Sequence, residues 1–387
     1  MDQGRQRNKI LNSIGICILF AIGIFARTHV SDITSDMHDF LLPWYDYIQS
    51  KGILRAMGNN FSNYTPPYTY LLALMTLTSS FIPKAVAIKV ISICADFVNA
   101  FLVYKIVRLK YPYDLAPLWA AGAFLCLPTI LINSAFWGQA DAVYMVFLLA
   151  SLYFFLKEKS VWGMLTFSIS FTFKAQAVFL LPFLIVLFLK RQIKIADFLL
   201  VPIVYSVLCL PVVLLGRGWV DVLTIYLIQG QTYHWLSANA PNLYIFVSNS
   251  YYRAGIIIGL IVTLIGTGTW VALTVLRKKS FSQERLPLIA LVSVALLPFL
   301  LPKMHDRYFY ASDVFSLVIA FFFPELWFIP IAFQAISGLA YTVYMWHGPI
   351  KNVYFGAFLN TIIILFLLWK QFRPTRMSAA ANAPARL

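Results

Sequence analysis

The chain is divided into apolar runs long enough to be buried in lipid, and this limits its fold more than any other feature. A membrane-crossing helix needs about 20 mostly apolar residues, with a floor near 17, to bridge the hydrocarbon core. Runs approaching or exceeding that length recur at 10–26, 86–104, 115–132, 141–156, 160–173, 177–189, 197–215, 254–276, 286–301, 311–323, 326–345 and 353–369. Inside lipid only helices and closed barrels satisfy every backbone polar group, and continuous runs of this kind are helical. The expected fold class is an all-α polytopic membrane protein with about twelve transmembrane helices. Composition agrees: 12% of the 387 residues are charged, against about 25% in soluble domains. Cys17, Cys94, Cys126 and Cys209 lie within the apolar runs without metal-ligand spacing. They read as small core residues.

One apolar piece, Tyr68 to Pro83, is short and bounded by prolines. Whether it crosses decides the side on which everything after it falls. If it stays on one side and the N-terminus is inside, nineteen of the thirty Lys and Arg residues fall in inner loops and termini. That is the distribution the positive-inside rule demands. If it crosses, every later basic cluster lands outside. Residues 68–83 therefore read as a re-entrant or interfacial helix within a first outer loop, 27–84. A second long outer loop covers 216–253, and 377–387 reads as a disordered cytoplasmic tail. The basic start, MDQGRQRNKI, reads as the flank of an uncleaved anchor rather than of a signal peptide. The net charge of +15 is then a loop bias, and no nucleic-acid partner is expected.

The same parity puts the remaining polar clusters at one face, the outer one. The first outer loop holds Asp32, Asp36, Asp39 and Asp46, four of fifteen acidic residues. Asp36 and Asp39 are placed to act as a partly desolvated base, or to be solvated loop carboxylates. Tyr64 and Tyr68, around Pro66-Pro67, offer aromatic faces to a sugar or form a structural turn. In Trp137-Gly138-Gln139-Ala140-Asp141, Asp141 caps a helix or joins Gln139 in binding sugar hydroxyls. Lys174 and Gln176 separate two apolar runs; the lysine snorkels or holds a phosphate. Lys303, His305 and Arg307 stand at a face where basic residues are disfavoured, which points to an anionic ligand held bidentately by Arg307. His234, in loop 216–253, rests at the interface or closes over a substrate. No histidine has metal-ligand spacing.

Five ordered motifs resemble the GT-C superfamily of membrane glycosyltransferases: Ser35-Asp36 with Pro43-Trp44; Asn63-Tyr64-Thr65-Pro66-Pro67; Phe136-Trp137-Gly138-Gln139-Ala140-Asp141; Phe173-Lys174-Ala175-Gln176; and Lys303-Met304-His305-Asp306-Arg307-Tyr308. The nearest resemblance is to bacterial proteins related to the GPI second mannosyltransferase. It covers about residues 10–370 and implies one GT-C-like catalytic domain over 1–376. It implies a polyprenyl-phosphate-linked sugar as donor, and a lipid-linked glycan, glycolipid or cell-envelope acceptor. It implies a first-loop acid as general base, with Asp36 first and Asp39 second. The donor phosphate falls to Lys174, Lys303, His305 and Arg307, and sugar contacts to Tyr64, Tyr68, Trp137, Gln139, Asp141, Gln176 and His234. No cofactor is expected; a divalent cation is compatible with the family but not favoured here. The resemblance further implies a bacterial inner membrane, and the basic-loop parity puts both termini in the cytoplasm and the site on the periplasmic or extracellular face. A polytopic transporter or flippase of lipid-linked sugars is the alternative. Unrelated halves, and polar groups gathered at one face rather than at midplane, argue against it.

Overall fold

The structure is a computed structural model. It describes residues 2–28, 30, 32–277 and 281–373, with side chains described from residue 10 onward. The tail 377–387 and several basic residues of the topology argument, among them Lys278, Lys279, Arg376 and Arg386, lie outside the described residues. Among the described residues the protein is 78% helical with almost no strand.

Among the described residues six helices are long and apolar enough to cross a membrane: Lys84–Lys110, Ile195–Leu214, Asn249–Leu276, Gln283–Leu300, Pro324–Trp346 and Lys351–Phe372. A seventh crossing is formed if Ala116–Leu125 and Pro128–Phe136, bent by 49° at the intervening break, act as one. Pro128 explains the break, because proline disfavours helical backbone at the residue before it. Leu127 is extended there, at φ −63° and ψ 123°. Five shorter apolar helices complete the set: Ile10–Ala26, Asp141–Leu156, Ser160–Phe173, Ala175–Leu189 and Tyr310–Phe322. The chain is thus an integral, multi-pass membrane protein. The twelve crossings expected from sequence correspond to six or seven helices of full length.

The first loop folds into short helical pieces, including Met37–Leu41, Leu42–Lys51, Ile53–Met57 and Pro66–Thr76. The piece expected at 68–83 stops at Thr76, and turns carry the chain to Pro83. Eleven helical residues rise about 16 Å, roughly half of the hydrocarbon thickness, so this helix is too short to cross. Pro66 and Pro67 occupy its first turn, where a missing N–H costs nothing. It packs on 84–110, 42–51, 200–214 and 160–173, and the Tyr70 hydroxyl donates to Leu208 O at 3.1 Å.

Two apolar cores result. The larger is built on the helix bundle, around Phe124, Leu148, Phe183, Ile289 and Phe315. The smaller joins the first loop to the bundle through Met37, Trp44, Tyr45, Tyr68, Ile88 and Tyr205. Phe171 and Phe173 touch both, and the polar motifs collect beside that junction.

Candidate functional site

Asp36 is held in place from below. Arg27, at the end of the first helix, is buried and bonds Asp96 of helix 84–110 at 2.8 Å. Lys89 of the same helix, also buried, donates to Asp32 O at 2.6 Å. These two cations tether the strap that ends at Asp36. A π-helical turn, Met37–Leu41, follows directly. Such turns are rare and often mark functional positions.

The next motif is shaped by Gly138, whose φ of +74° favours glycine. A Cβ there would stand 2.6 Å from Met37 Cε and 3.3 Å from Lys89 Cγ. The turn at Gly138 reverses the chain after the π-helical Ile132–Phe136 and starts helix Asp141–Leu156. It presents Trp137 and Gln139 to Asp36. Trp137 Nε1 donates to Asp36 Oδ2 at 3.1 Å, and Gln139 Nε2 donates to the same oxygen at 2.8 Å. Asp36 Oδ1 accepts from the Tyr344 hydroxyl at 2.6 Å.

Lys174 ends helix Ser160–Phe173 in extended backbone. Its ammonium donates to Asp141 Oδ1 at 2.6 Å. Asn133 Nδ2 donates to Asp141 Oδ2 at 3.0 Å. The fifth motif is held by a parallel pairing of two-residue strands, Ser237–Ala238 with Met304–His305. Lys303 N to Leu236 O (2.7 Å) and Asp306 N to Ala238 O (3.0 Å) extend the pairing. Loop 216–253 thereby fixes the segment that carries Arg307. The guanidinium lies 3.5 Å from Asp36, 3.7 Å from Asp306 and 3.8 Å from Asp141, above the Trp137 ring at 5.3 Å.

The resulting cleft is lined by Asp36, Phe40, Trp44, Asn63, Tyr64, Gln139, Lys174, Gln176, Gln229, Tyr233, His305, Arg307 and Tyr308, among others. Asp36 and Arg307 keep 19% and 17% of their side chains open to it. Three buried polar atoms on its lining residues have no hydrogen-bond partner: Asn63 Oδ1, Gln176 Oε1 and Arg307 Nε. Buried polar groups are nearly always satisfied, so such atoms call for an explanation. Burial pushes His305 down to about 3, with Arg307 adding to the effect; the imidazole is neutral at physiological pH. Burial pushes Asp306 up to about 7 against the opposing pull of Arg307. Burial lowers Lys174 while Asp141 opposes it. For Arg307 burial works against the charge, but Asp36, Asp306, Tyr64 and Asp141 outweigh it and drive the group further up.

Of the residues singled out from sequence, Asp36, Tyr64, Gln139, Lys174, Gln176, His305 and Arg307 meet at the cleft. Others do not. Asp39 is exposed and pairs with His38 at 2.8 Å, because the π turn points it away. Lys303 turns aside at a positive φ of 64° and donates to the Tyr252 hydroxyl at 2.5 Å. His234 is exposed and packs beside Tyr252, 5.7 Å between rings. Tyr68 is buried behind Tyr64, edge-on at 4.9 Å. Trp137 is fully buried beneath Asp36 and Arg307, supporting both rather than facing the cleft. Asp141 neither caps its helix nor offers an oxygen to a sugar; both oxygens are taken by Lys174 and Asn133. Neutral His305 has a hydrogen bond, not a proton, to offer a ligand. Sequence reasoning missed Tyr344, Asn133 and Gln229, none of which lies in a motif. Among the described residues no three His, Cys, Asp or Glu side chains gather to hold a metal ion.

Compared with known proteins, the sequence matches no family model and no curated protein.

Proposed function

We propose that this chain is an inverting glycosyltransferase of the GT-C type. It moves a hexose, mannose or glucose, from a polyprenyl-phosphate-sugar to a hydroxyl of a lipid-linked glycan or cell-envelope acceptor. In this reading the membrane is a bacterial inner membrane crossed about twelve times, the termini are cytoplasmic, the helix Pro66–Thr76 stays at the outer interface, and the cleft opens outward. The six long helices, the bent pair and the five shorter apolar helices support that number of crossings.

One observation carries the proposal. A carboxylate fixed by three donors stands 3.5 Å from an arginine whose buried Nε lies 3.8 Å from Asp141 but has no hydrogen-bond partner, with Lys174 and His305 lining the same cleft. A base and an anion grip in one cleft are what transfer from a phosphate-linked sugar requires. Asp36 takes the proton of the acceptor hydroxyl as its oxygen attacks the anomeric carbon. The bond from that carbon to the phosphate oxygen breaks on the opposite face, and polyprenyl phosphate leaves with one more negative charge. Arg307 offsets that charge, and neutral His305 donates a hydrogen bond. Positioning and electrostatics supply most of the acceleration, and the base adds roughly 10²–10⁴-fold.

The test is turnover of undecaprenyl-phosphate mannose and undecaprenyl-phosphate glucose by the protein in nanodiscs, with a membrane glycolipid extract as acceptor. Asp36→Asn is expected to abolish transfer while the protein stays monodisperse with an unchanged Tm. Wild-type turnover by that variant removes the assignment. Net movement of intact donor across the bilayer without transfer supports the flippase reading instead.

A further inference from the structure

The two oxygens of Asp36 are not equivalent. Oδ2 accepts from Trp137 Nε1 at 3.1 Å and Gln139 Nε2 at 2.8 Å, and faces Arg307 at 3.5 Å. Three nitrogen donors leave it little room for another hydrogen. Oδ1 has a single partner, the Tyr344 hydroxyl, at 2.6 Å. That hydroxyl in turn lies 2.6 Å from Ser35 Oγ, and Ser35 is exposed. The Tyr344 ring is stacked on Trp137 at 4.7 Å and 19°, so the hydroxyl is aimed by packing rather than by chance. Asp36, Tyr344 and Ser35 form an unbroken line of oxygens from the cleft to water. Each hydroxyl in it both donates and accepts.

We propose that Tyr344 is a positioning residue and the first link of a proton relay that returns Asp36 to its carboxylate form after each transfer. The inference rests on the reading of Asp36 as the base and goes beyond it by naming the atom and the route. The acceptor proton arrives on Oδ1, the oxygen with room for it. The Tyr344 O–H swings to Ser35, so that Oδ1–H donates to Tyr344 Oη. Three O–H bonds then break and three form: Asp36 passes its proton to Tyr344, Tyr344 its own to Ser35, and Ser35 its own to water. The net change is one proton from Asp36 to solvent, with no group oxidised or reduced. The Tyr344 hydroxyl then turns back to Oδ1.

The experiment uses Tyr344→Phe and Ser35→Ala in nanodiscs with the undecaprenyl-phosphate sugar that the wild type turns over. Tyr344→Phe is expected to lower kcat by roughly ten-fold or more, within the range of acid–base assistance. Added imidazole, a small proton acceptor, is expected to restore much of the loss without changing wild-type kcat. Ser35→Ala leaves the Tyr344–Asp36 bond intact and is expected to show the same loss and the same rescue. A merely structural Tyr344 leaves Ser35→Ala at full turnover and Tyr344→Phe deaf to buffer; either result overturns the relay. An Asp36→Asn variant that still turns over removes the base and the relay together, as does a wild type inert with both donors. An inert Asp36→Asn beside an unrescued Tyr344→Phe removes the relay alone.

Discussion

Arg307→Lys retains one positive charge and removes the planar fork, which makes it a sharp test of how the cleft grips an anion. Arg307 reaches Asp36 at 3.5 Å and Asp306 at 3.7 Å through one terminal nitrogen, while its buried Nε lies 3.8 Å from Asp141 without a hydrogen-bond partner. It also covers the Trp137 ring at 5.3 Å. In the proposed complex the N–H of that Nε meets a phosphate oxygen. A hydrogen bond to a charged group contributes about 1.5–3 kcal/mol net. Lysine carries no hydrogen at that position, and the Coulomb attraction survives. Kd for undecaprenyl phosphate should therefore rise by about 10–100-fold, at about 1.4 kcal/mol per decade. Titration of radiolabelled undecaprenyl phosphate into nanodisc-embedded protein, at one fixed ionic strength, measures this directly. A Kd indistinguishable from wild type would show that charge alone suffices and refute the reasoning.

Three further outcomes are expected. Asp306 faces Arg307, Asp36 and Asp141 and is pushed up to about 7; it gains a proton as pH falls through that value. The cleft then loses a negative charge, so undecaprenyl phosphate should bind more tightly below pH 7 than above it. Asp306→Asn should bind tightly at both, and an unchanged pH profile in that variant would exclude Asp306. Asp141→Asn leaves Lys174 buried without its 2.6 Å partner. Breaking a buried pair costs about 3–5 kcal/mol, so Tm in detergent should fall clearly, and Lys174→Met with Asp141→Asn should recover part of it. Gly138→Ala forces an L residue to φ +74° and a Cβ to within 2.6 Å of Met37 Cε. Backbone strain alone costs about 1–3 kcal/mol, so both Tm and the geometry at Asp36 should suffer. A Gly138→Ala protein with wild-type Tm and turnover would contradict this.

Helix positions were largely legible from sequence. The expected runs 141–156 and 160–173 return as Asp141–Leu156 and Ser160–Phe173, because lipid leaves the backbone no alternative to helix and apolar length alone locates it. Breaks were less legible. Run 115–132 bends by 49°, since Pro128 interrupts a stretch whose hydropathy does not change. The site was legible to the extent that its chemistry is polar against an apolar background. Asp36, Lys174 and Arg307 stood out for that reason, and they do meet. Their partners did not stand out. Tyr344 and Asn133 lie inside apolar helices, where a tyrosine or an asparagine reads as packing, and only the approach of distant helices shows which oxygen each one faces.

From sequence alone, the chain's helices and the short list of side chains with any chemistry to offer are determined, because burial in lipid penalises every polar group that lacks a reason to be there. The pairing of those side chains belongs to the tertiary structure. Asp36 and Asp39 are three residues apart and equally acidic, yet a single π turn sends one into the cleft and the other to solvent. Asp141 and Lys174, each read separately as a ligand for substrate, neutralise each other. Arg307 keeps a donor without a hydrogen-bond partner, and a two-residue strand pairing holds it over the base.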